Sequence, residues 1–144
     1  MGAMLADASE TQQDALFRFG LHLGIAFQVA DDTLDYTANG ENFGKSLGQD
    51  LRQGKATLPL LHLLHHCSEQ DRQMIVDRME RRSLTEEDLG RFIHLMEEMG
   101  SITYAMDRAR SYIAAAQRDL DQFEDSTAKR ALSVTADYMV TRDR

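Results

Sequence analysis

Two neighbouring segments carry the strongest information in this chain. Residues 27–36 read Phe-Gln-Val-Ala-Asp-Asp-Thr-Leu-Asp-Tyr, and residues 44–59 read Gly-Lys-Ser-Leu-Gly-Gln-Asp-Leu-Arg-Gln-Gly-Lys-Ala-Thr-Leu-Pro. The first segment has three aspartates, and the second has two lysines that each follow a glycine directly. Grouped carboxylates bind hard cations, and lysine ammonium groups bind phosphate oxygens. The pair of segments therefore indicates a site for a divalent cation and a phosphate group.

The aspartates belong to a predicted helix that is apolar on most of its circumference. One apolar stripe with helical spacing consists of Leu16, Phe19, Leu23, Phe27, Ala30 and Leu34, and a neighbouring one consists of Leu21, Ile25 and Val29. Such a helix is expected to lie inside a protein. Its one polar stripe, at positions i, i+3, i+4 and i+7, consists of Gln28, Asp31, Asp32 and Asp35.

Carboxylates one turn apart repel each other, and the C-terminal end of a helix is already negative. A positive group is therefore needed, and Mg²⁺ prefers oxygen ligands and bridges carboxylates to substrate phosphates. We predict that Asp31, Asp32 and Asp35 bind Mg²⁺; the alternative is an acidic helix end exposed to solvent. A calcium EF-hand is excluded, because Tyr36 and Asn42 occupy the positions of its required glycine and glutamate.

The second segment has glycines that let the backbone approach a ligand, with Lys45 and Lys55 to contact phosphate. A nucleotide-binding P-loop is excluded on spacing. Three residues separate Gly40 from Gly44-Lys45, and five separate Gly48 from Gly54-Lys55, where four are required.

Together, the two segments resemble the second aspartate-rich region of the trans-isoprenyl (polyprenyl) diphosphate synthase family, most of all the bacterial octaprenyl diphosphate synthases. The resemblance covers most of the chain and is strongest between Gly20 and Leu64. It implies an all-α fold, the C-terminal half of the isoprenoid synthase fold with about six helices. It also implies condensation of isopentenyl diphosphate, head to tail, onto an allylic diphosphate with Mg²⁺ as cofactor.

The resemblance assigns roles to individual residues. Asp31 and Asp35 would ligate Mg²⁺ on the allylic diphosphate, with Asp32 in or beside the metal shell. Lys45 would contact this diphosphate directly and Lys55 would assist it electrostatically. Gln28 would bind the diphosphate or its waters. Asp50 would position the lysine segment.

Members of this family are about twice as long and carry an earlier aspartate-rich motif that this chain lacks. We therefore expect residues 1–144 to be a single helical unit, the C-terminal part of a synthase domain, and the isolated chain to be inactive. Two alternatives are a terpene cyclase, which the two Gly-Lys elements disfavour, and a non-catalytic helical subunit or dimerisation fragment.

Composition restricts the partners and the compartment. The net charge of −8 argues against nucleic-acid binding and against a polybasic membrane anchor. The single cysteine, Cys67, favours a reducing compartment, and no apolar run approaches the roughly 20 residues that span a bilayer. We expect a cytoplasmic protein that forms a homo-oligomer and binds the two diphosphates.

Beyond Pro59 the pattern predicts scaffold helices. Capping boxes are predicted at Ser68 and Thr85, and a helix end is predicted at Gly100. Three histidines share a helical face, namely His62, His65 and His66. We interpret them as side chains of a packed helix and not as a transition-metal site.

Overall fold

The structure is a computed structural model that describes residues 2–37 and 47–141, and these residues form eight α-helices and no β-strand. The helices are α1 (Gly2–Leu5), α2 (Glu10–Leu34), α3 (Gln49–Arg52), α4 (Leu58–His66), α5 (Glu69–Glu80), α6 (Glu86–Glu98), α7 (Ser101–Asp119) and α8 (Thr127–Thr141). Two of them, α1 and α3, are single turns of four residues. The predicted all-α class is confirmed, and the six longer helices agree with the predicted number.

The described residues divide into two compact units. The first contains the described residues up to Ala30 and from Asp107 onwards, and the second runs from Asp31 to Met106. The assignment of residues 1–144 to a single helical unit stays a prediction.

Helix α2 begins earlier than its apolar stripe indicates, because a capping box precedes it. The Ser9 hydroxyl accepts a hydrogen bond from the backbone N–H of Gln12 at 3.3 Å, and the Gln12 side chain accepts one from the Ser9 N–H at 3.0 Å. This reciprocal pairing satisfies two amides that would otherwise lack partners. The helix therefore starts at Glu10, six residues before Leu16.

The first unit packs around a core of aromatic, branched and small apolar side chains, namely Phe19, Ala26, Ile113, Ala116, Leu120 and Ala136. Beside this core, the carboxylate of Asp119 accepts hydrogen bonds from Arg18 Nε at 2.9 Å and, when His22 carries its proton there, from His22 Nδ1 at 2.8 Å. Burial alone raises the pKa of Asp119, but these two partners hold it below its usual value.

The second unit has its own apolar core, which contains Tyr36, Leu51, Leu60, Leu63, Cys67, Ile75, Leu89, Phe92, Ile93 and Met96. The capping box predicted at Thr85 is present, and at Ser68 one of the two predicted hydrogen bonds is present. Ser68 accepts a hydrogen bond from the Asp71 N–H, and Thr85 and Asp88 form a complete capping box. The histidines of α4 pack as helix side chains: His62 lies 3.0 Å from the Ser101 hydroxyl, its ring stacks on Tyr104, and His66 contacts the His62 carbonyl.

Short helix α3 is fastened to α6. Gly48, directly before α3, has φ +69°, and a Cβ built there would overlap the Leu89 side chain of α6. Four residues further along, the Arg52 guanidinium donates to both carboxylate oxygens of Glu86 at 2.7 Å. The backbone of α3 can approach α6 this closely only because residue 48 has no side chain.

None of the described helices is long and apolar enough to cross a membrane.

We expect Gly48→Ala to destabilise the second unit more than Gly54→Ala. Both glycines have positive φ, so each substitution costs about 1–2 kcal/mol of backbone strain. A Cβ at Gly54 meets open space, whereas at Gly48 it overlaps Leu89, which adds about 1–3 kcal/mol of overpacking. Urea unfolding of both variants gives the difference in the free energy of unfolding. Equal losses would show that contact with Leu89 does not restrict residue 48.

Candidate functional site

The acidic residues lie where α2 ends. Asp31 and Asp32 are in its last turn and Asp35 follows in the next one, and all three side chains are half-buried. Carboxylates on neighbouring turns of one helix end carry like charges, which repel one another. Gln28 is exposed on α2 within the first unit.

Asp35 joins the end of α2 to α3 through its backbone and its side chain. Its carbonyl oxygen accepts a hydrogen bond from the Gly48 N–H at 3.0 Å, and its Oδ2 accepts one from the Asp50 N–H at 2.8 Å. Gly48 occupies the N-cap position of α3 and supplies no side-chain cap. The Asp35 carboxylate therefore satisfies an N-terminal amide of α3 that a capping side chain would otherwise bind.

Asp50 in turn holds Lys55. The Asp50 side chain is buried, and its Oδ1 lies 2.5 Å from Lys55 Nζ. The Lys55 N–H also donates to the Asp50 carbonyl at 2.9 Å, across the turn at Gly54. The hydrogen bond that Lys55 donates to Asp50, then the charges of Asp50, Asp32 and Asp35, raise the pKa of Lys55. Lys55 is thus a firmly protonated cation beside the aspartates.

A buried tyrosine completes the link between these segments. Tyr36 and Thr57 are each 2% exposed, and their hydroxyl oxygens lie 2.6 Å apart. Burial, followed by the charges of Asp50, Asp35 and Asp32, raises the pKa of Tyr36 above its usual range despite the opposing Thr57 hydrogen bond. The tyrosine therefore stays neutral. Because Thr57 is the N-cap of α4, this hydrogen bond ties the end of α2 to the start of α4.

The structure brings together four of the residues that the sequence analysis selected, because Asp32, Asp35, Asp50 and Lys55 all interact electrostatically. Asp31 stands on the same helix end. Lys45 lies outside the described residues. Two supporting contacts are not predicted from the sequence, namely Tyr36 with Thr57 and Arg52 with Glu86. No local spacing rule relates either pair, so the sequence carries no signal for them.

The donor set is suited to a hard divalent cation, because it consists of carboxylate oxygens with a net negative charge. Within residues 2–37 and 47–141, no group of three or more His, Cys, Asp or Glu side chains is placed to hold a metal ion by protein ligands alone. Mg²⁺ commonly uses one or two carboxylates and completes its shell with water and substrate phosphates. The assignment of Asp31, Asp32 and Asp35 as metal ligands stays a prediction.

Comparison with known proteins identifies the family. The profile of the family described as polyprenyl synthetase matches residues 1–96. Octaprenyl diphosphate synthases from Haemophilus influenzae and Escherichia coli are each 38% identical to this chain, over 98% of its length and 43% of theirs.

Solved structures give the same result. A polyprenyl synthase from Caulobacter crescentus, crystallised with calcium and isoprenyl diphosphate, superposes with a TM-score of 0.88 at 37% identity, over 98% of this chain and 43% of that one. A decaprenyl diphosphate synthase from Rhodobacter capsulatus superposes with a TM-score of 0.90 at 32% identity, over 99% and 44%. The chain thus spans less than half the length of these relatives. The predicted resemblance is confirmed, and the chain belongs to the polyprenyl synthetase family.

Proposed function

We propose that this chain is part of a polyprenyl diphosphate synthase, of octaprenyl type, that condenses isopentenyl diphosphate head to tail onto an allylic diphosphate with Mg²⁺. The observation that carries this proposal is the packing of Asp32, Asp35, Asp50 and Lys55 at the junction of α2 and α3, in a member of the polyprenyl synthetase family. Carboxylates and a lysine in one place suit a diphosphate that arrives with its metal ions.

In this proposal the metal ions are held by Asp31, Asp32 and Asp35. Bound Mg²⁺ would neutralise the allylic diphosphate and make it a better leaving group. The Caulobacter relative supports a divalent cation, since it was crystallised with calcium and isoprenyl diphosphate. Calcium and magnesium share a preference for carboxylate and phosphate oxygens.

The other selected residues bind and orient the diphosphate. Lys45 and Lys55 supply positive charge to its non-bridging oxygens, and Gln28 donates hydrogen bonds to it or to its waters. Asp50 orients Lys55 through their ion pair. The reaction itself needs departure of pyrophosphate, attack by the double bond of isopentenyl diphosphate on the allylic carbon, and loss of a proton. These side chains act on the first step, by stabilising the charge of the leaving group.

We further propose a cytoplasmic homo-oligomer in which this chain binds the allylic diphosphate, whereas condensation with isopentenyl diphosphate also needs the part of the fold that the relatives have in addition. The isolated chain would then be inactive in condensation. The second candidate is a non-catalytic helical subunit or dimerisation fragment. It is supported by the exposed apolar residues Phe17 and Leu21 of α2, and it predicts no metal-dependent binding of diphosphate.

We expect Asp31→Ala to weaken Mg²⁺-dependent binding of farnesyl diphosphate by at least about tenfold, because a hydrogen-bonded or charged ligand typically contributes this much. Isothermal titration calorimetry with and without Mg²⁺ measures the affinity. The control is Glu124→Ala, which removes the same charge from an exposed position. Equal affinities in both variants and the unchanged chain would contradict the metal assignment.

A condensation assay on the unchanged chain with farnesyl diphosphate, labelled isopentenyl diphosphate and Mg²⁺ tests its activity. We expect no labelled product. Product that disappears in Asp31→Ala would contradict inactivity of the isolated chain and support the prenyltransferase assignment. Absence of any metal-dependent diphosphate binding would favour the non-catalytic subunit.

We expect the chain to self-associate through an exposed face of α2. Phe17 is 70% exposed and Leu21 is 49% exposed, and Gly20 and Gly24 beside them leave room for another helix. Contiguous exposed apolar surface of this kind drives association. Sedimentation equilibrium should show an oligomer that Leu21→Glu weakens. The control is Val76→Glu, which adds the same charge at an exposed apolar residue of α5. A monodisperse monomer of the unchanged chain would refute the expectation.

A further inference from the structure

We propose that Asp35 is a positioning residue for Lys55: one carboxylate oxygen of Asp35 holds α3, and α3 carries the aspartate that orients the lysine. This role is additional to metal binding by Asp35, and it rests on the proposed function for the nature of the ligand, a diphosphate. Asp31 has the same side chain and lies one helical turn earlier, but the proposal gives the positioning role to Asp35 alone.

The first step is the anchoring of α3. This helix has only four residues, and so short a helix has little stability of its own. Its N-cap is a glycine without a capping side chain, and Asp35 Oδ2 accepts the Asp50 N–H at 2.8 Å in its place. A hydrogen bond to a charged acceptor is about twice as strong as a neutral one.

The second step connects α3 to the lysine. Asp50 uses its side chain and its carbonyl oxygen to hold the side chain and the N–H of Lys55. Asp50 is 8% exposed, whereas the side chain of Lys55 is 55% exposed. A buried carboxylate therefore fixes the direction of a lysine that stands at the surface. Movement of the Asp50 backbone moves the ammonium group with it.

The charge of Asp35 complicates any test, because its removal also changes anion and metal binding. Asp35→Asn and Asp35→Ala remove the same charge, but the amide oxygen of asparagine can still accept the Asp50 N–H. Alanine cannot accept it. The difference between these two variants therefore reports the loss of an oxygen at position 35 without a change of charge. Because that oxygen is also a proposed metal ligand, the comparison pair is Asp31→Asn and Asp31→Ala, which removes a proposed ligand oxygen one helical turn earlier.

Two measurements on the 144-residue chain test the proposal. Amide hydrogen exchange by NMR, without ligand, reports protection of the Asp50 N–H. Isothermal titration calorimetry reports the affinity for inorganic pyrophosphate in the presence of Mg²⁺. In Asp35→Ala we expect the Asp50 amide to exchange at least about tenfold faster than in Asp35→Asn. We expect pyrophosphate to bind Asp35→Ala about three- to tenfold more weakly than Asp35→Asn, and we expect a smaller ratio between the two Asp31 variants, which differ only in a proposed ligand oxygen. Equal ratios in the two pairs would attribute the effect to metal binding and overturn the proposal.

Other outcomes overturn the proposal. Equal exchange in the two Asp35 variants would show that this carboxylate does not hold α3. Faster exchange in Asp35→Ala with equal pyrophosphate affinities would make Asp35 a structural cap without effect on Lys55. If the unchanged chain binds no pyrophosphate, the proposed function fails, and with it the role of Lys55, while the exchange data still decide whether Asp35 anchors α3.

Discussion

The accumulation of negative charge where α2 ends is the constraint that organises the second unit. Asp31, Asp32 and Asp35 are half-buried there, and Asp50 is brought to the same place by α3. Shielded carboxylates destabilise one another unless amides, cations or metal ions compensate them. The fold supplies part of this compensation through the Asp50 N–H and through Lys55. The proposed Mg²⁺ would compensate the remaining negative charge.

The compensation depends on contacts that lie some distance from the aspartates. Helix α3 can bring its amide to Asp35 because Gly48 lets it pack against Leu89, and because Arg52 pairs with Glu86. On the other side, the buried hydrogen bond of Tyr36 with Thr57 ties α4 to the same junction. Helices α4 and α6 belong to one apolar core, so this core stabilises the arrangement of charges from both sides.

Much of this fold could be predicted from the sequence, because helices are specified by local signals. The apolar spacing of α2 and the caps at Ser68 and Thr85 are local signals of helices, and they agree with the all-α class that the family resemblance implied. The start of α2 was predictable in principle, since Ser9 and Gln12 have the spacing of a capping box. By contrast, Arg52 with Glu86 and Tyr36 with Thr57 join residues 34 and 21 positions apart. Such pairs depend on how helices pack, and local spacing does not encode packing.

The aspartates show the same difference between local spacing and packing. Helical periodicity identifies Asp31, Asp32 and Asp35 as one face, and from the sequence their roles are equivalent. The structure distinguishes them, because α2 ends at Leu34 and Asp35 stands in the following turn, where its backbone and side chain both meet α3. A motif read as a single metal-binding face thus contains one residue whose geometry also determines the position of the neighbouring lysine. In this chain the end of the helix, rather than its periodicity, assigns the role of Asp35.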